Sequence, residues 1–199
     1  MKAMFSNGLR SARILLAFAL VFTAIMAGTY ALTRPIVQKN EAGALAQQLA
    51  QVLPQGYAVD SRPHAQAGRS ERYYLARRDG RIAAAIFEAT ANEGYGGKIR
   101  LLIGVAADGT VLGVRVVSHK ETPGLGDYIE LAKSAWITQF DGKSLANPAS
   151  ERWKVKKDGG DFDYTAGATI SPRAIVKAVR ATLEDVAIRR DALFAQEVK

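Results

Sequence analysis

Arg72-Tyr73-Tyr74-Leu75-Ala76-Arg77-Arg78-Asp79-Gly80-Arg81-Ile82-Ala83-Ala84-Ala85-Ile86-Phe87-Glu88-Ala89 is the stretch on which the fold turns. Read with a period of two, it is a pair of strands, Arg72–Arg78 and Arg81–Ala89. Asp79-Gly80 forms the tight turn between them, because both residues tolerate the positive φ that a two-residue hairpin demands. The alanines at 83, 84 and 85 would also suit a helix. The segment is short and bounded by turns, so the strand reading is the consistent one.

Working outward toward the C-terminus, the alternation continues. Lys98–Ala106 and Thr110–Ser118 read as two more strands, joined at Asp108-Gly109, while Gly94-Tyr95-Gly96-Gly97 breaks the middle pair. His119 to Asp127 carries too much Gly and Pro for regular structure. Asp127 is placed to cap a short helix through Ile129, Leu131 and Ala132. Trp136, Ile137 and Phe140 supply apolar anchors, and Trp153-Lys154-Val155-Lys156 alternates like a last strand. After Pro172 the period is helical: Ile175, Val176, Val179, Leu183, Val186 and Ile188 recur at three- and four-residue spacing. Ser171 suits the N-cap and Pro172 the first helical position. The expected class is α+β, an antiparallel sheet packed with helices.

Toward the N-terminus the composition changes. Ile14–Leu32 is a run of nineteen uncharged residues, close to the ~20 that span a hydrocarbon core. Lys2, Arg10 and Arg13 precede it without an acid, which favours a cytoplasmic N-terminus, and Tyr30 fits the opposite interface. A cleaved signal peptide would have a shorter apolar region and a small-residue cleavage site, which the residues before Arg34 do not offer. Pro35 is expected to open a second helix, with Ile36, Leu45, Leu49, Val52 and Leu53 as its apolar stripe, ending at Pro54 and Gly56. Ser61 to Ser70, with Pro63 and Gly68, reads as loop. Residues 1–13 would then be a cytoplasmic N-terminus, 14–33 a transmembrane helix, 34–55 a connecting helix and 56–199 the globular domain.

Composition narrows the chemistry. The chain has no cysteine and two histidines, His64 and His119, far apart in sequence. Iron–sulfur clusters, thiolate zinc sites and cysteine nucleophiles are therefore excluded, and no metal site is expected. A redox role would need an organic cofactor. The net charge of +8 permits a polyanion partner. Its basic runs, Arg69–Arg81 and Arg152–Lys157, are interrupted or flanked by Glu71, Asp79, Glu151 and Asp158, and no nucleic-acid module accompanies them. No nucleic-acid partner is expected; solvated faces and attraction to anionic lipid head groups account for the charge. No hydrolase nucleophile elbow is present, nor any obvious pairing of carboxylates, so no catalytic residue is assigned. His119, at a strand end, reads as a hydrogen-bonded structural group.

The most informative chemistry lies in Asp163-Tyr164-Thr165-Ala166-Gly167-Ala168-Thr169, directly before the terminal helix. Small residues deliver an unhindered backbone to a helix start, with a hydroxyl beside it. Unpaired N–H groups and the positive end of the helix dipole suit that place to a phosphate. An ordinary capped helix would look the same locally. Gly94-Tyr95-Gly96-Gly97 and Glu121-Thr122-Pro123-Gly124-Leu125-Gly126 are the other two places where glycine would let a backbone approach a planar ring closely.

Taken in order, the three segments resemble the FMN-binding domain shared by the G subunit of the Rnf/Rsx electron-transport complex and the C subunit of the sodium-translocating NADH:quinone reductase. The resemblance covers nearly the whole chain, including the anchor. The chain departs from the family pattern at Ala166, where a hydroxyl residue is usual. The resemblance implies FMN attached covalently through a phosphoester to Thr169, with Asp163, Gly167 and Ala168 as recognition residues. It further implies that Glu121, Thr122, Pro123 and Leu125 border the isoalloxazine, with Gly124, Gly126, Gly94 and Tyr95 in the same neighbourhood. Expected partners are other membrane subunits of the complex, a flavin transferase during maturation, and the lipid bilayer. The implied role is a non-autonomous redox subunit of an ion-translocating complex, in the bacterial inner membrane with its domain in the periplasm. Chain length and the Ser171–Val176 continuation favour the first of these two families, the Rnf/Rsx type, over the quinone-reductase type. The alternative of another class is an anchored periplasmic scaffold that has lost its flavin.

Overall fold

In the computed structural model, residues 2–60, 62–65 and 72–195 are described, excepting the side chains of residues 2–11, 36, 38–42, 44 and 65. The chain divides into two compact units, residues 1–45 and 46–199. The first lies on helix α1 (Lys2–Val52). Ala12–Pro35 forms a 24-residue stretch long and apolar enough to cross a membrane, with its side chains exposed throughout. Pro35 opens no new helix: α1 runs through it without a break. Its ring removes one backbone donor, yet the helix continues on both sides of it. Of the expected stripe, Leu49, Val52 and Leu53 are buried; the Ile36 side chain lies outside the described residues.

The second unit is the α+β domain the alternation implies. Its sheet is antiparallel, ordered β1-β3-β4-β5-β6, with β2 pairing beside β1 on β3. The four long strands are β3 (Arg72–Arg78), β4 (Arg81–Gly94), β5 (Gly97–Ala106) and β6 (Val111–Ser118). At the first turn Asp79 and Gly80 have φ of 52° and 79°, the left-handed pair that this hairpin requires. Two features escape sequence reading. The two-residue strands β1 (Ala58–Val59) and β2 (His64–Ala65) line β3 where only loop is expected. Strand β4 also runs five residues past Ala89, because Ala89 and Ala91 continue its buried face with side chains too small to signal it.

Both faces of the sheet are covered. On one, Leu75, Phe87, Leu101 and Ile103 meet helix α2 (Ile170–Phe194) through Ile175, Val179 and Leu183. On the other, Val52 and Leu53 lie over Gly104 and Gly113, which face each other across β5 and β6. A Cβ on Gly113 would stand 2.3 Å from the Val52 carbonyl oxygen, so only glycine admits the end of α1 there.

Trp153–Lys156 is not a strand of the sheet. Its one ladder contact is an isolated bridge from Val155 to Phe162. The segment folds on its own loop, with Lys156 N–H donating to Phe162 C=O at 2.7 Å and Gly160 seated against Lys154. Trp153 and Val155 are buried, so the alternation is real, but Trp153 spends it on stacking with Phe140 and Phe162. Likewise Asp127 begins only a single 3-10 turn, Asp127–Ile129, and caps nothing. Its carboxylate instead accepts from Gly124 N–H at 2.8 Å.

Candidate functional site

The start of α2 is reached through a turn that glycine shapes. Ala168 N–H donates to Thr165 C=O at 3.0 Å, and Gly167 has φ of 84°, a conformation side chains resist. The helix then begins two residues earlier than expected. Thr169 occupies the cap position, and its hydroxyl caps no N–H. Ser171 is therefore not the cap but part of the first turn. Pro172 still costs nothing there, since the first N–H groups of a helix lack partners. No hydrogen bond among the described residues uses the N–H of Ile170 or Ser171.

Freed from capping, the Ser171 hydroxyl donates to Glu121 Oε2 at 2.5 Å and accepts from Tyr95 N–H at 3.3 Å. Glu121 Oε1 accepts from Gly96 N–H at 2.9 Å. This carboxylate, 5% exposed, thus ties together the β4–β5 turn, the loop after β6 and the first turn of α2. A buried carboxylate is tolerable only with such donors, and the helix dipole adds to them. The glycines serve the same crossing: a Cβ on Gly96 would fall 2.0 Å from Lys120 C=O, and one on Gly126 would press on the Glu121 side chain at 3.1 Å.

His119 is the hydrogen-bonded structural group its position suggests. Its Nδ1 accepts from Glu121 N–H at 3.0 Å, so the neutral ring carries its proton on Nε2, which donates to Glu130. The histidine thereby fixes the backbone from which the Glu121 carboxylate reaches inward.

A cavity of about 140 Å³ opens where the three segments meet. The β4–β5 turn lends Tyr95 to its wall; the loop after β6 lends Glu121, Thr122, Leu125 and Gly126; the α2 turn lends Gly167, Ala168 and Thr169. Two residues missed in the sequence, Ile170 and Ser171, complete it. Tyr95, Leu125 and Ile170 are 70%, 49% and 46% exposed, an apolar rim around a polar floor. The structure does not bring every expected residue to this wall. Gly94 closes the hairpin opposite Gly97, and Gly124 turns the loop at φ 75°. Pro123 is exposed beside Gly124. Asp163 faces outward, paired with Lys156 at 2.5 Å. Ala166, the departure from the family pattern, is exposed and is not part of the cavity wall.

An amphiphilic ligand with an anionic end fits this geometry. Ligand sites commonly enclose ~300–1,000 Å³, so this cavity has room for only one end of an elongated ligand such as a flavin nucleotide, whose ring would then lie at the rim. Its phosphate end would meet the free Thr169 hydroxyl and the unpaired N–H groups of the helix start, with nothing near Gly167 to obstruct it.

Fold and site together describe an anchored FMN-binding-domain protein, and comparison with known proteins agrees. A family model described as FMN-binding domain matches residues 94–184, and one described as RnfG N-terminal region matches residues 1–52. The G subunit of the ion-translocating oxidoreductase complex of Pseudomonas aeruginosa (strain UCBPP-PA14) is 45% identical over 199 residues, covering 95% of this chain and 93% of its own. Its namesake in Vibrio cholerae serotype O1 (strain M66-2) is 46% identical over 191 residues, covering 90% and 88%. The one in Cereibacter sphaeroides (strain ATCC 17029 / ATH 2.4.9) is 46% identical over 180 residues, covering 87% and 82%. The chain belongs to this family, the G subunits of ion-translocating oxidoreductase complexes.

Proposed function

We propose that this chain is the G-type subunit of a membrane-bound ion-translocating oxidoreductase complex and carries FMN esterified to Thr169. The supporting observation is the Thr169 hydroxyl, free of any capping bond, facing a cavity walled by all three glycine-bearing segments. When bound, FMN supplies the electron-transfer chemistry, and the protein supplies attachment, orientation and electrostatics. The start of α2 stabilises the phosphate, and Gly167 gives it room. Glu121 holds the ring-bordering loop against that helix. The exposed rim of Tyr95, Leu125 and Ile170 leaves the ring accessible to a neighbouring protein of the complex.

The Ala12–Pro35 segment anchors the chain in the inner membrane, with the N-terminus in the cytoplasm and the domain in the periplasm. Covalent attachment suits that compartment, where a dissociated flavin would be diluted and lost. A flavin transferase is the expected maturation partner. The decisive test is intact-mass analysis of protein made in cells that have such a transferase. The wild type should gain the mass of one FMN less one water; Thr169→Ala and Thr169→Val should gain none, since only a hydroxyl can be esterified. Covalent FMN on Thr169→Ala would overturn the proposal. A periplasm-dependent reporter fused after Lys199 should be active, and a dark one would reverse the topology.

A further inference from the structure

Residues 128–139 line no part of the cavity, yet they grip the Thr169 loop at four backbone points. The Tyr128 hydroxyl accepts from Thr165 N–H and donates to Ala168 C=O, both at 3.1 Å. Trp136 Nε1 donates to Asp163 C=O at 2.7 Å, and Gln139 Oε1 accepts from Asp163 N–H at 2.7 Å. The three gripping residues form one unit: the Tyr128 ring packs edge-on against Trp136, Gln139 Nε2 donates to Trp136 C=O at 3.0 Å, and Trp136 packs in turn against buried Phe140. Tyr128 stands apart within it, because its single hydroxyl spans the 165–168 turn. The turn's own closing bond, from Ala168 N–H to Thr165 C=O, joins the same two residues.

We propose that Tyr128 is a positioning residue for the loading of Thr169, its hydroxyl latching the 165–168 turn in the shape that presents the Thr169 hydroxyl to the cavity. The inference rests on the covalent reading above. Loading forms a bond between Thr169 Oγ1 and the flavin phosphorus. The bond from that phosphorus to its leaving group breaks, and the proton of the hydroxyl ends on the departing phosphate. Free FMN would have to expel water, so the donor is a phosphoanhydride of FMN whose second half leaves as a nucleoside monophosphate. No electrons are exchanged. The latch matters because Gly167, at φ 84°, has no side chain to restrict its alternatives. Without the Tyr128 hydroxyl two hydrogen bonds vanish, and the competent turn becomes a minority conformer. The apparent reactivity of Thr169 falls by the same fraction, roughly tenfold for two ordinary bonds.

Full-length protein in detergent micelles, purified flavin transferase and flavin adenine dinucleotide make the test. The initial rate of covalent FMN formation is followed by intact mass over a range of protein concentrations. Tyr128→Phe keeps the ring and loses only the hydroxyl. Tyr74→Phe is the control, since its buried phenol bonds Glu88 at 2.9 Å away from the site. The expected result is a roughly tenfold fall in kcat/KM for Tyr128→Phe, with the wild-type final stoichiometry reached on long incubation. Tyr74→Phe should change it less than twofold. Equal slowing in both variants, in step with their melting temperatures, would reduce Tyr128 to a structural role and overturn the inference. So would an unchanged or faster rate, which would mean that the turn has to open before loading. A wild type that takes up no covalent FMN overturns the covalent reading and the latch with it, whereas a loaded wild type with an indifferent Tyr128→Phe overturns the latch alone.

Discussion

Two helix ends rest on the same sheet by opposite means. The C-terminal end of α1 sits on Gly104 and Gly113 through Val52 and Leu53, a contact of aliphatic side chains and close backbone. The N-terminal end of α2 rests on Glu121, Gly96 and Tyr95 through a serine hydroxyl and a buried carboxylate. The first joint is steric and made of aliphatic side chains. The second is polar and leaves a cavity, an unpaired threonine hydroxyl and free N–H groups at its edge. An apolar joint can only hold; a polar one kept partly open can also receive a ligand.

The sharpest way to break this comparison is to place a Cβ in each joint. On Gly113 it would meet the Val52 carbonyl at 2.3 Å, and on Gly96 the Lys120 carbonyl at 2.0 Å. Neither neighbour is the mobile tip of a side chain, so each Gly→Ala change should destabilise the domain by about 3 kcal/mol. Their effects on function should part. Folded Gly113→Ala protein should retain covalent FMN, and folded Gly96→Ala protein should lose most of it. Urea unfolding and intact mass on the same samples check both. Flavin lost from Gly113→Ala, or kept by Gly96→Ala, would erase the distinction.

Next in size is the polar joint itself. Glu121→Ala strands the Gly96 N–H and the Ser171 hydroxyl, which should cost about 2–3 kcal/mol. Ser171→Ala removes one partner and leaves Glu121 bonded to Gly96, so about 1 kcal/mol is expected. In Glu121→Gln the amide oxygen can still accept from Gly96 N–H while its NH₂ donates to Ser171, and the cost should fall between the two. If chemical denaturation ranks Glu121→Ala no worse than Ser171→Ala, the carboxylate is not the hub.

The two joints also differ in what the sequence discloses. The long strands, their Asp-Gly turns and the terminal helix are written in local patterns of period two and period 3.6, and the structure agrees with them. The three glycine-bearing segments are visible as composition, but nothing local says that they meet. Their meeting depends on Glu121 reaching Gly96 and Ser171 across 25 and 50 residues. Ser171 reads as a cap because local chemistry favours it there, and tertiary hydrogen bonding overrides that preference. Gly104 and Gly113 pass for ordinary strand residues until a helix is laid on them. Tyr128 carries no sequence signal at all: its value comes from where a single 3-10 turn happens to aim it.

On the face that the end of α1 covers, the polar exception is Tyr74, fully buried with its hydroxyl donating to Glu88. Burial, together with the adjacent Glu88 carboxylate, pushes its phenol from the ordinary value near 10.0 up to about 12. The folded state therefore favours the protonated phenol. Its contribution is fully present below pH 10.0 and is lost as the pH rises through about 12. Tyr74→Phe should cost about 1.5 kcal/mol at neutral pH, the value of a bond to a charged acceptor. The gap between wild type and variant in urea unfolding should shrink steadily across that alkaline window. A gap that stays constant through it would mean that Tyr74 is held by packing alone, and the α1 joint would have no polar element.

The smallest effect on stability belongs to Leu125, and it bears most directly on the open side of the polar joint. A leucine 49% exposed beside the cavity has already forgone much of its burial, so Leu125→Ala should change stability by no more than about 0.5 kcal/mol. If the ring lies at the rim, that same side chain is one of its few apolar neighbours. Removing it admits water to one edge of the flavin, and the charged forms of the ring gain from the higher polarity. Leu125→Ala should therefore keep full covalent FMN and its melting temperature while shifting the flavin absorbance and midpoint potential. Thr122→Ala, on the same wall, should shift them too, through the loss of a hydroxyl that lines the cavity. The measurement pairs spectra and redox titration with flavin content for each variant. Unaltered spectra and potentials in both would place the ring away from the 121–126 loop. The polar joint would then serve only to hold Thr169 and the phosphate end.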